Sequence, residues 1–446
     1  MNRNLATKML RFRWLIYFVL GLAYFFVYFH RLSLSVVADD LINEFQTTAS
    51  VMGFLGSVYF YCYAAMQLPA GLLSDSLGPR KSVTCFLVIA SAGSILFGFA
   101  PTIKVAFVGR VLVGVGVSMV FIPTMKILSQ WFRVHEFAFM AGILNAIGGL
   151  GVLAATWLLA LMTGLLGWRI SFELIGACTF IIVALVWLVV RDHPADKGWP
   201  SIPEIDGEDD AISQKTQQIS LLEGVKRVVS EYYFWPVAIW FFFDCGVFFG
   251  FGALWGGPYL MHVYGMTKVE AGTTLSMIAW GMILGSPPLG LLSDKIMKSR
   301  KKPLILCSFL LVVVLTFLYT FPSGLSRTAL YMFFFIFSVC ASSVVIFGFT
   351  MIKELFPVEI AGTSTGMVNL FPFLGGAVFM PLLGRVLDAY PKMASGGYTL
   401  AGYKMLLLIL LVSSVICLLC TFFMKETFHS TLVPSQSHRA PMNSKT

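Results

Sequence analysis

The chain carries very little charge. Asp, Glu, Lys and Arg make up 12% of its 446 residues, whereas a soluble domain carries about 25%. Hydrophobic residues reach 58%, and the mean hydropathy is +0.83. A water-soluble fold of this length needs a charged exterior, so this composition excludes a soluble domain. It predicts a protein whose outer surface is in contact with lipid.

The sequence also lacks the patterns of polar residues that enzymes and metal sites need. No HExxH or GxSxG motif and no cluster of histidines occurs, so we expect neither an enzyme nor a cofactor or metal site. The eight cysteines lie inside apolar runs. Only Cys417 and Cys420 form a C-x-x-C, and their apolar setting predicts small buried side chains rather than a redox pair.

Long apolar runs are abundant. A membrane-spanning helix needs about 20 mostly apolar residues, and twelve such segments can be placed. They are 14–37, 51–73, 83–100, 105–126, 137–162, 169–190, 235–261, 270–292, 303–321, 328–350, 363–387 and 402–423. The first segment follows basic residues as a signal peptide would, but it is too long and no small-residue cleavage site follows. We therefore expect it to be retained as the first membrane helix.

One long polar stretch interrupts the apolar pattern between the sixth and seventh segments. Its composition cannot form a core of its own, which is typical of a linker. We therefore predict an N-terminal six-helix bundle at 1–190, a cytoplasmic linker at 191–232, a C-terminal six-helix bundle at 233–424 and a cytoplasmic tail at 425–446.

The basic residues predict the orientation in the membrane. With the N-terminus in the cytoplasm, most loop Lys and Arg residues fall on the cytoplasmic side, as such residues do in membrane proteins. The opposite side keeps only Lys104, Lys268, Arg327, Lys392 and Lys404. Both termini are therefore expected in the cytoplasm. The net charge of +9 is explained by these loops, and we expect no nucleic-acid partner.

Two sequence features recur about 220 residues apart, which indicates a parallel internal repeat. The first is the motif PxGLLSD, which ends the second predicted helix at 69–75 and the eighth at 288–294. The second is a set of residues with matched spacing: Phe132, Gly142, Asn145 and Gly151 in one copy, and Phe356, Gly366, Asn369 and Gly375 in the other.

These motifs resemble those of the major facilitator superfamily. The loop from Gly71 to Lys81 is similar to the family signature between helices two and three, and Arg110-x-x-x-Gly114-x-Gly116 resembles a second family motif associated with proton coupling. Gly167-Trp168-Arg169 is also family-like. The resemblance covers nearly the whole chain. It implies an all-α membrane protein with twelve transmembrane helices in two pseudo-symmetric six-helix bundles, which transports by alternating access.

The resemblance also implies a conformational latch at the cytoplasmic ends of helices two and eight. In the family, the aspartate of this loop engages the opposite half when the cytoplasmic side is shut. The corresponding residues are Gly71, Asp75, Gly78, Arg80 and Asp294. Glycine permits a close helix approach and a tight turn at such positions. Ser76 and Pro79 replace commoner basic residues, so we expect a weaker latch.

Three further segments are similar to bacterial nutrient importers. They are YFHR in helix one, YxxxQxPxGLLSD in helix two and LWGGPYL in helix seven. The importers include the anion:cation symporters, the organophosphate-type porters and the phagosomal transporter family, which implies a bacterial inner membrane. Helix five lacks the proline of family antiporters, which favours symport or facilitated uptake over drug export.

Two ionisable residues lie inside the apolar segments, where each costs about 2.5–3.5 kcal/mol on insertion. Arg31 lies in the central-to-outer part of helix one, where it either reaches the outer headgroups or binds an anionic group of the substrate. Several anion-importing branches of the superfamily use a helix-one Arg in this way. Asp244 lies near the middle of helix seven, where it either forms a structural pair or takes and releases a proton. Together they suit a zwitterion, or a carboxylate carried with a proton.

Other polar and aromatic residues are weaker candidates. Arg110 either takes part in proton coupling or is a structural hydrogen-bond hub, and the sequence does not name its partner. Asn145 and Asn369 either bind substrate from symmetric positions or hold helices together. Tyr28, Tyr63 and Trp255 are candidates to line the cavity. Arg169 and Glu173 are spaced to support each other at a helix start, and His30 is expected to be a packed or interfacial side chain.

The sequence therefore predicts a secondary active transporter, most simply a monomer, that imports a small carboxylate-bearing nutrient with a proton. An amino acid or an organic acid would suit the site. The alternative within the same class is an exporter or antiporter of drugs, metabolites or siderophores. A solute receptor that does not transport is a further alternative, although we would expect it to carry an added signalling domain.

Overall fold

The computed structural model describes residues 3–206, 221–341, 347–357, 360–394 and 396–428. Within these residues the chain is helical, and its only extended pairing is an isolated bridge between Lys392 and Tyr398. The helices are α1 (Arg3–Leu32), α2 (Leu34–Glu44), α3 (Ala49–Ser76), α4 (Pro79–Gly98), α5 (Ile103–Ser118), α6 (Phe121–Trp131), α7 (Val134–Leu153), α8 (Leu159–Val189), α9 (Ile202–Asp206), α10 (Leu221–Ser230), α11 (Phe234–Val247), α12 (Gly256–Tyr264), α13 (Lys268–Leu275), α14 (Met277–Leu291), α15 (Lys301–Thr320), α16 (Arg327–Ala341), α17 (Phe349–Leu355), α18 (Ala361–Asp388) and α19 (Leu400–Phe423). Wider π-helical turns at Ala154–Leu158, Phe248–Trp255 and Leu292–Met297 continue α7, α11 and α14, and a short 3-10 turn lies at Pro194–Lys197.

Ten helical segments of the described chain are long and apolar enough to cross a membrane. The longest, Phe139–Val189, contains two predicted spans, and Gly167 interrupts its helical geometry with φ 78° between them. Arg327–Ala341 is a shorter apolar helix that borders residues 342–346, which lie outside the described part of the chain. Every predicted span overlaps an apolar helix, while the count of twelve complete spans stays a prediction.

Two predicted boundaries differ from the structure for physical reasons. The first predicted span ends at residue 37, yet α2 continues to Glu44 after a break at Ser33. Hydropathy misses this extension because it carries carboxylates that are paired with other parts of the fold. The predicted fourth span is divided into α5 and α6. The division precedes Pro123, whose ring disfavours a continuous helix at that point.

We call residues 3–206 the N-half and residues 221–428 the C-half. The two halves pack mainly through α3 against α18 and through α7 against α14. A Cβ at Gly53 would lie 2.4 Å from the carbonyl oxygen of Met380, and one at Gly272 would lie 2.6 Å from that of Thr156. The backbones of the two halves therefore meet directly where these residues have no side chain.

Polar contacts join the halves at one end of the bundle, which we call the closed end. The carboxylate of Asp388, at the end of α18, accepts hydrogen bonds from the backbone N–H groups of Ala49 (2.9 Å) and Ser50 (2.7 Å) at the start of α3. Lys268 Nζ lies 2.5 Å from Asp40 Oδ2, and His262 Nε2 lies 2.9 Å from Asp39 Oδ2. Burial raises the pKa of Asp40 despite the Lys268 ammonium, so this pair is partly desolvated.

The opposite end of the bundle, near the start of α1, has open space beside several glycines, and we call it the open end. A Cβ at Gly142, Gly290, Gly362 or Gly366 would have no atom within 4 Å. These glycines lie on α7, α14 and α18, three of the helices that pack tightly towards the closed end. These three helices therefore pack tightly towards the closed end and have free space beside their glycines at the open end.

The cap that Asp388 places on α3 should contribute measurably to stability. In Asp388→Ala the first backbone N–H groups of α3 lose their acceptor, which typically costs about 1–2 kcal/mol. We expect a lower midpoint of thermal unfolding in detergent. Glu223→Ala is the control, because its pair with Arg227 is largely exposed and an exposed pair of this kind contributes little. Equal midpoints for the two variants would contradict a capping role for Asp388.

Candidate functional site

The side chain of Arg31 is enclosed by aromatic rings from both halves. Its guanidinium carbon lies 4.6 Å from the ring centroid of Tyr28 and 5.2 Å from that of Tyr63, both in the N-half. It lies 5.7 Å from the centroid of Phe249 and 5.2 Å from that of Phe373, both in the C-half. We call these four rings the aromatic box. Only 7% of Arg31 is exposed.

The charge of Arg31 has no anionic partner in the described part of the chain. No carboxylate oxygen there lies within 4 Å of its guanidinium, and its Nε has no hydrogen-bond acceptor. A cation over an aromatic face gains about 2 kcal/mol when both are desolvated, which offsets only part of the cost of burying an unpaired charge. The box therefore encloses a fixed cation that can receive an anion.

A polar contact lies one helical turn from the box on the side of the open end. Asn369 Nδ2 donates to Gln67 Oε1 at 2.9 Å, which joins α18 to α3. The residues one turn away, Tyr63 and Phe373, are box members whose ring centroids are 4.3 Å apart. Asn369 thus holds two helices together in this structure. Asn145, its counterpart in the sequence repeat, is part-buried on α7 and has no comparable bond among the described residues.

Asp244 lies inside the C-half rather than beside Arg31. It is 1% exposed, and its Oδ2 has no hydrogen-bond partner. It interacts with the thiols of Cys340 and Cys417, on α16 and α19. It forms no ion pair with Arg31, so the structure does not bring the two charges together as a joint site for a zwitterion.

Arg110 is fixed by the backbone of α1 and by an aromatic ring. Its Nη1 donates to the carbonyl oxygen of His30 at 3.2 Å, and its guanidinium carbon lies 5.3 Å from the ring centroid of Tyr59. The side chain is 1% exposed, and the described residues place no carboxylate within 4 Å of it. His30 itself is fully buried, and its ring packs edge-on against Phe29.

Two rings that the sequence did not single out, Phe249 and Phe373, lie around Arg31, whereas the predicted lining residue Trp255 packs closer to the closed end. Trp255 is fully buried, donates its indole N–H to Met380 O at 2.9 Å and packs edge-on against Tyr398. Its contacts are thus with the C-half near the closed end. Sequence reasoning missed Phe249 and Phe373 because the chain has 41 Phe residues, and no spacing distinguishes these two.

Two of the predicted latch residues of the N-half, Gly78 and Arg80, hold the turn between α3 and α4. Gly78 adopts φ 85°, and a Cβ there would lie 2.6 Å from Asp192 Oδ2. The backbone N–H of Arg80 donates to Asp192 Oδ1 at 2.6 Å, and its Nη2 donates to Trp187 O at 2.5 Å. Arg80 therefore ties α4 to the end of α8 within one half. Gly71 and Asp75 lie on α3, but their contacts are outside the described part.

Asp294, the latch residue of the C-half, forms an ion pair with Arg300. Arg300 also lies 3.2 Å from Glu354 Oε1, at the end of α17. All three residues belong to the C-half, so this pairing does not join the halves in the state described. The turn that lacks a glycine in this copy is made at Lys298, which adopts φ 45°.

The expected pair between Arg169 and Glu173 is wrong. Arg169 Nη2 instead lies 2.7 Å from Glu44 Oε1, and Trp168 Nε1 donates to Glu44 Oε2 at 2.5 Å. Partial burial opposes ionisation of Glu44, but these hydrogen bonds and the Arg169 charge lower its pKa. The sequence could not indicate this pairing because it depends on the extension of α2 beyond the predicted span.

Comparison with known families identifies the class of protein. The model of the Major Facilitator Superfamily matches residues 20–380, with a second match over residues 241–444. The first match alone covers well over half of the chain, so the chain belongs to the major facilitator superfamily. It is a membrane-embedded secondary transporter of a small-molecule solute and not an enzyme, and the predicted all-α fold of this family is confirmed.

Three similar proteins illustrate the range of the relatives. The probable galactarate/D-glucarate transporter GarP of Escherichia coli K12 is 24% identical over 408 residues, which cover 84% of this chain and 88% of its own. The membrane sensor protein UhpC of Salmonella typhimurium is 25% identical over 386 residues, covering 83% of this chain and 84% of its own. A crystal structure of a bacterial homologue of the human lysosomal transporter Spinster, inward-facing and unoccupied, has a TM-score of 0.75 and 18% identity, covering 94% of this chain and 97% of its own.

The similarity to a protein named as a membrane sensor corrects one expectation. We expected a receptor to carry an added signalling domain, but this relative is matched over 84% of its own length. Chain length is therefore no argument against the receptor alternative, and the assignment as a transporter rests on the match to the family.

The Gln67–Asn369 bond should show up as a coupling energy. Gln67→Leu and Asn369→Leu each leave a part-buried amide without its partner, whereas the double variant removes both amides. We expect the double variant to cost less than the sum of the single variants by about 0.5–1.5 kcal/mol, measured from thermal or denaturant unfolding in detergent. Additive costs would mean that the bond does not form in solution.

Proposed function

We propose that the chain imports a small organic acid across a bacterial inner membrane, driven by protons. The observation that carries this proposal is the enclosed guanidinium of Arg31, which lacks an anionic partner in the described residues. Arginine offers a planar pair of donors that matches a carboxylate. A carboxylate of the solute would supply the missing charge at the place where both halves meet.

The surroundings of Arg31 favour an organic acid over an amino acid. A zwitterion carries an ammonium group next to its carboxylate, and that cation would need an acidic side chain near Arg31. The acid predicted to act with Arg31, Asp244, forms no pair with it and lies buried inside the C-half. The relative named as a galactarate/D-glucarate transporter supports a sugar acid as the first solute to test.

Asp244 is proposed as the residue that carries the proton. A carboxyl group buried without a partner is far more stable when protonated, so its proton occupancy can follow the hydration of its surroundings. Arg110 is proposed to take part in proton coupling by holding α1 in position. It donates a hydrogen bond to the backbone of His30, the residue next to Arg31. Tyr28, Tyr63, Asn145, Trp255 and Asn369 are proposed as substrate-side residues.

The proposed cycle follows from the orientation of the chain. With both termini in the cytoplasm, the closed end faces the exterior and the open end faces the cytoplasm. Rocking of an N-terminal and a C-terminal six-helix bundle would then break the Asp388, Asp40 and Asp39 contacts and close the cytoplasmic side. Gly71, Asp75, Gly78, Arg80 and Asp294 are proposed to latch that side. The chain is proposed to act as a monomer.

The role of Arg31 is tested by ligand-induced stabilisation of the purified protein. The panel contains D-glucarate, D-gluconate, L-alanine, glucose 6-phosphate and D-xylose. A carboxylate at 100 times its dissociation constant should stabilise the folded protein by about 2.7 kcal/mol. That stabilisation should be lost in Arg31→Ala and kept in Arg227→Ala, whose side chain is exposed. Stabilisation by D-xylose alone, or by a carboxylate in Arg31→Ala, would sink the proposed role of Arg31.

The role of Asp244 is tested by the dependence of uptake on a proton gradient. In proteoliposomes with an acidic exterior, Asp244→Asn should lose accumulation of D-glucarate above equilibrium while retaining exchange of labelled for unlabelled solute, because Asn cannot bind and release the proton. Glu223→Gln is the control. Accumulation that survives in Asp244→Asn would remove Asp244 from the coupling step. Accumulation against the opposite gradient would favour the exporter or antiporter alternative.

A further inference from the structure

Among the described residues, the C-half places two uncharged rings against the guanidinium of Arg31. Phe249 belongs to the π-helical segment after α11, and Phe373 belongs to α18. Each ring also packs on an N-half ring: Phe249 lies 4.8 Å from Phe60, and Phe373 lies 4.3 Å from Tyr63, between centroids. These contacts cross the interface between the halves at the site itself.

The two phenylalanines occupy the place where an anion would approach Arg31 from the C-half. The face of an aromatic ring carries partial negative charge, so it stabilises a desolvated cation in the way that an anion does, though less strongly. In the structure these two rings, together with Tyr28 and Tyr63 of the N-half, enclose an Arg31 side chain that is almost completely buried. The cation of Arg31 therefore keeps favourable contacts when no solute is bound.

This matters for the step in which both ends are closed. Without these rings, Arg31 could turn towards water while one end is open, and it would lose that water during the passage between the two open states. Hydration that is stronger in the open states than in the closed intermediate slows the passage. With the rings, Arg31 is already buried while one end is open, so the passage of the empty protein removes little further water from it. In the loaded protein the solute carboxylate replaces the water instead.

We propose that Phe249 and Phe373 act as stand-ins for the solute anion, so that the empty protein reorients and the chain performs net transport rather than obligatory exchange. This inference rests on the proposed role of Arg31 as the carboxylate-binding residue. It assigns the two residues a positioning role in the return step. A carrier without such rings would move its unpaired arginine only when loaded, and would exchange one solute for another.

Net efflux and exchange separate the two modes. Proteoliposomes loaded with labelled D-glucarate are diluted into buffer without solute or into buffer with unlabelled D-glucarate. We expect the unmodified protein to show both activities at rates within about tenfold of each other. Phe249→Leu and Phe373→Leu should each lower the ratio of net efflux to exchange by about tenfold. During exchange the protein returns with a carboxylate bound to Arg31, so the ring is not needed. During net efflux it returns empty, and the ring is needed.

Matched variants control for simple loss of packing. Phe251→Leu removes a ring from the same helical segment, but Phe251 packs on Tyr259 and Phe334 inside the C-half, so the ratio should not change. Phe373→Tyr keeps the ring and should keep the ratio. Exchange without net efflux in the unmodified protein, or an equal ratio in Phe373→Leu and Phe251→Leu, would overturn the proposal.

A second measurement needs no solute. Ser35 is fully buried at the closed end, where its carbonyl oxygen would lie 1.8 Å from a Cβ at Gly257 of the other half. In a background with alanine at the eight native cysteine positions, the rate of maleimide labelling of Ser35→Cys reports opening of that end in the empty protein. Phe373→Leu should slow this labelling about tenfold, whereas Phe251→Leu should not.

The two measurements distinguish failure of the inference from failure of the proposed function. If no carboxylate binds or moves, the proposed function fails, and the labelling rates still decide whether the rings assist the empty protein. Labelling of Phe373→Leu within twofold of the parent would overturn the role of the rings even if D-glucarate is transported in an Arg31-dependent manner.

Discussion

The buried charge of Arg31 is the constraint on which the rest of the site depends. A guanidinium that is 7% exposed, with no carboxylate beside it in the described chain, needs compensation from its surroundings. The fold supplies aromatic faces from α1, α3, the segment after α11, and α18. These four elements come from both halves. The contacts that stabilise the charge of Arg31 are therefore also contacts between the halves. A ligand that pairs with Arg31 must change that contact.

The contacts on either side of the box differ in kind. Towards the closed end, backbones meet directly at Gly53 and Gly272, and Asp388 caps a helix of the other half. Towards the open end, the bond between Gln67 and Asn369 is followed by glycines that face open space. Backbone contacts at glycine act only at short range, and the hydrogen bonds of a helix cap depend on direction. A small rotation of one half against the other breaks both kinds of contact. Such an interface favours two distinct arrangements of the halves over a continuous range of them.

The sequence predicted the helical fold, the internal repeat and the place of Arg31 inside an apolar segment because these follow from hydropathy and from residues that are rare in apolar segments. It could not predict which partners the charged residues find. Arg169 pairs with Glu44 instead of Glu173 because α2 runs beyond its apolar part, and hydropathy does not register that extension. Phe249 and Phe373 are two among 41 phenylalanines. Their role depends on the approach of helices far apart in the chain, which no local pattern encodes.

The repeat in sequence is not a repeat in contacts. Asn369 bonds across the interface, while Asn145 at the matching position makes no such bond among the described residues. Arg80 binds a backbone carbonyl of α8, while the basic residue of the second copy, Arg300, pairs with Asp294 and Glu354. At the centre the N-half holds the cations, Arg31 and Arg110, and the C-half presents rings to Arg31. Two positively charged faces would repel each other. Because the buried cations lie in one half and uncharged rings in the other, the halves of this duplicated fold can pack together around the site.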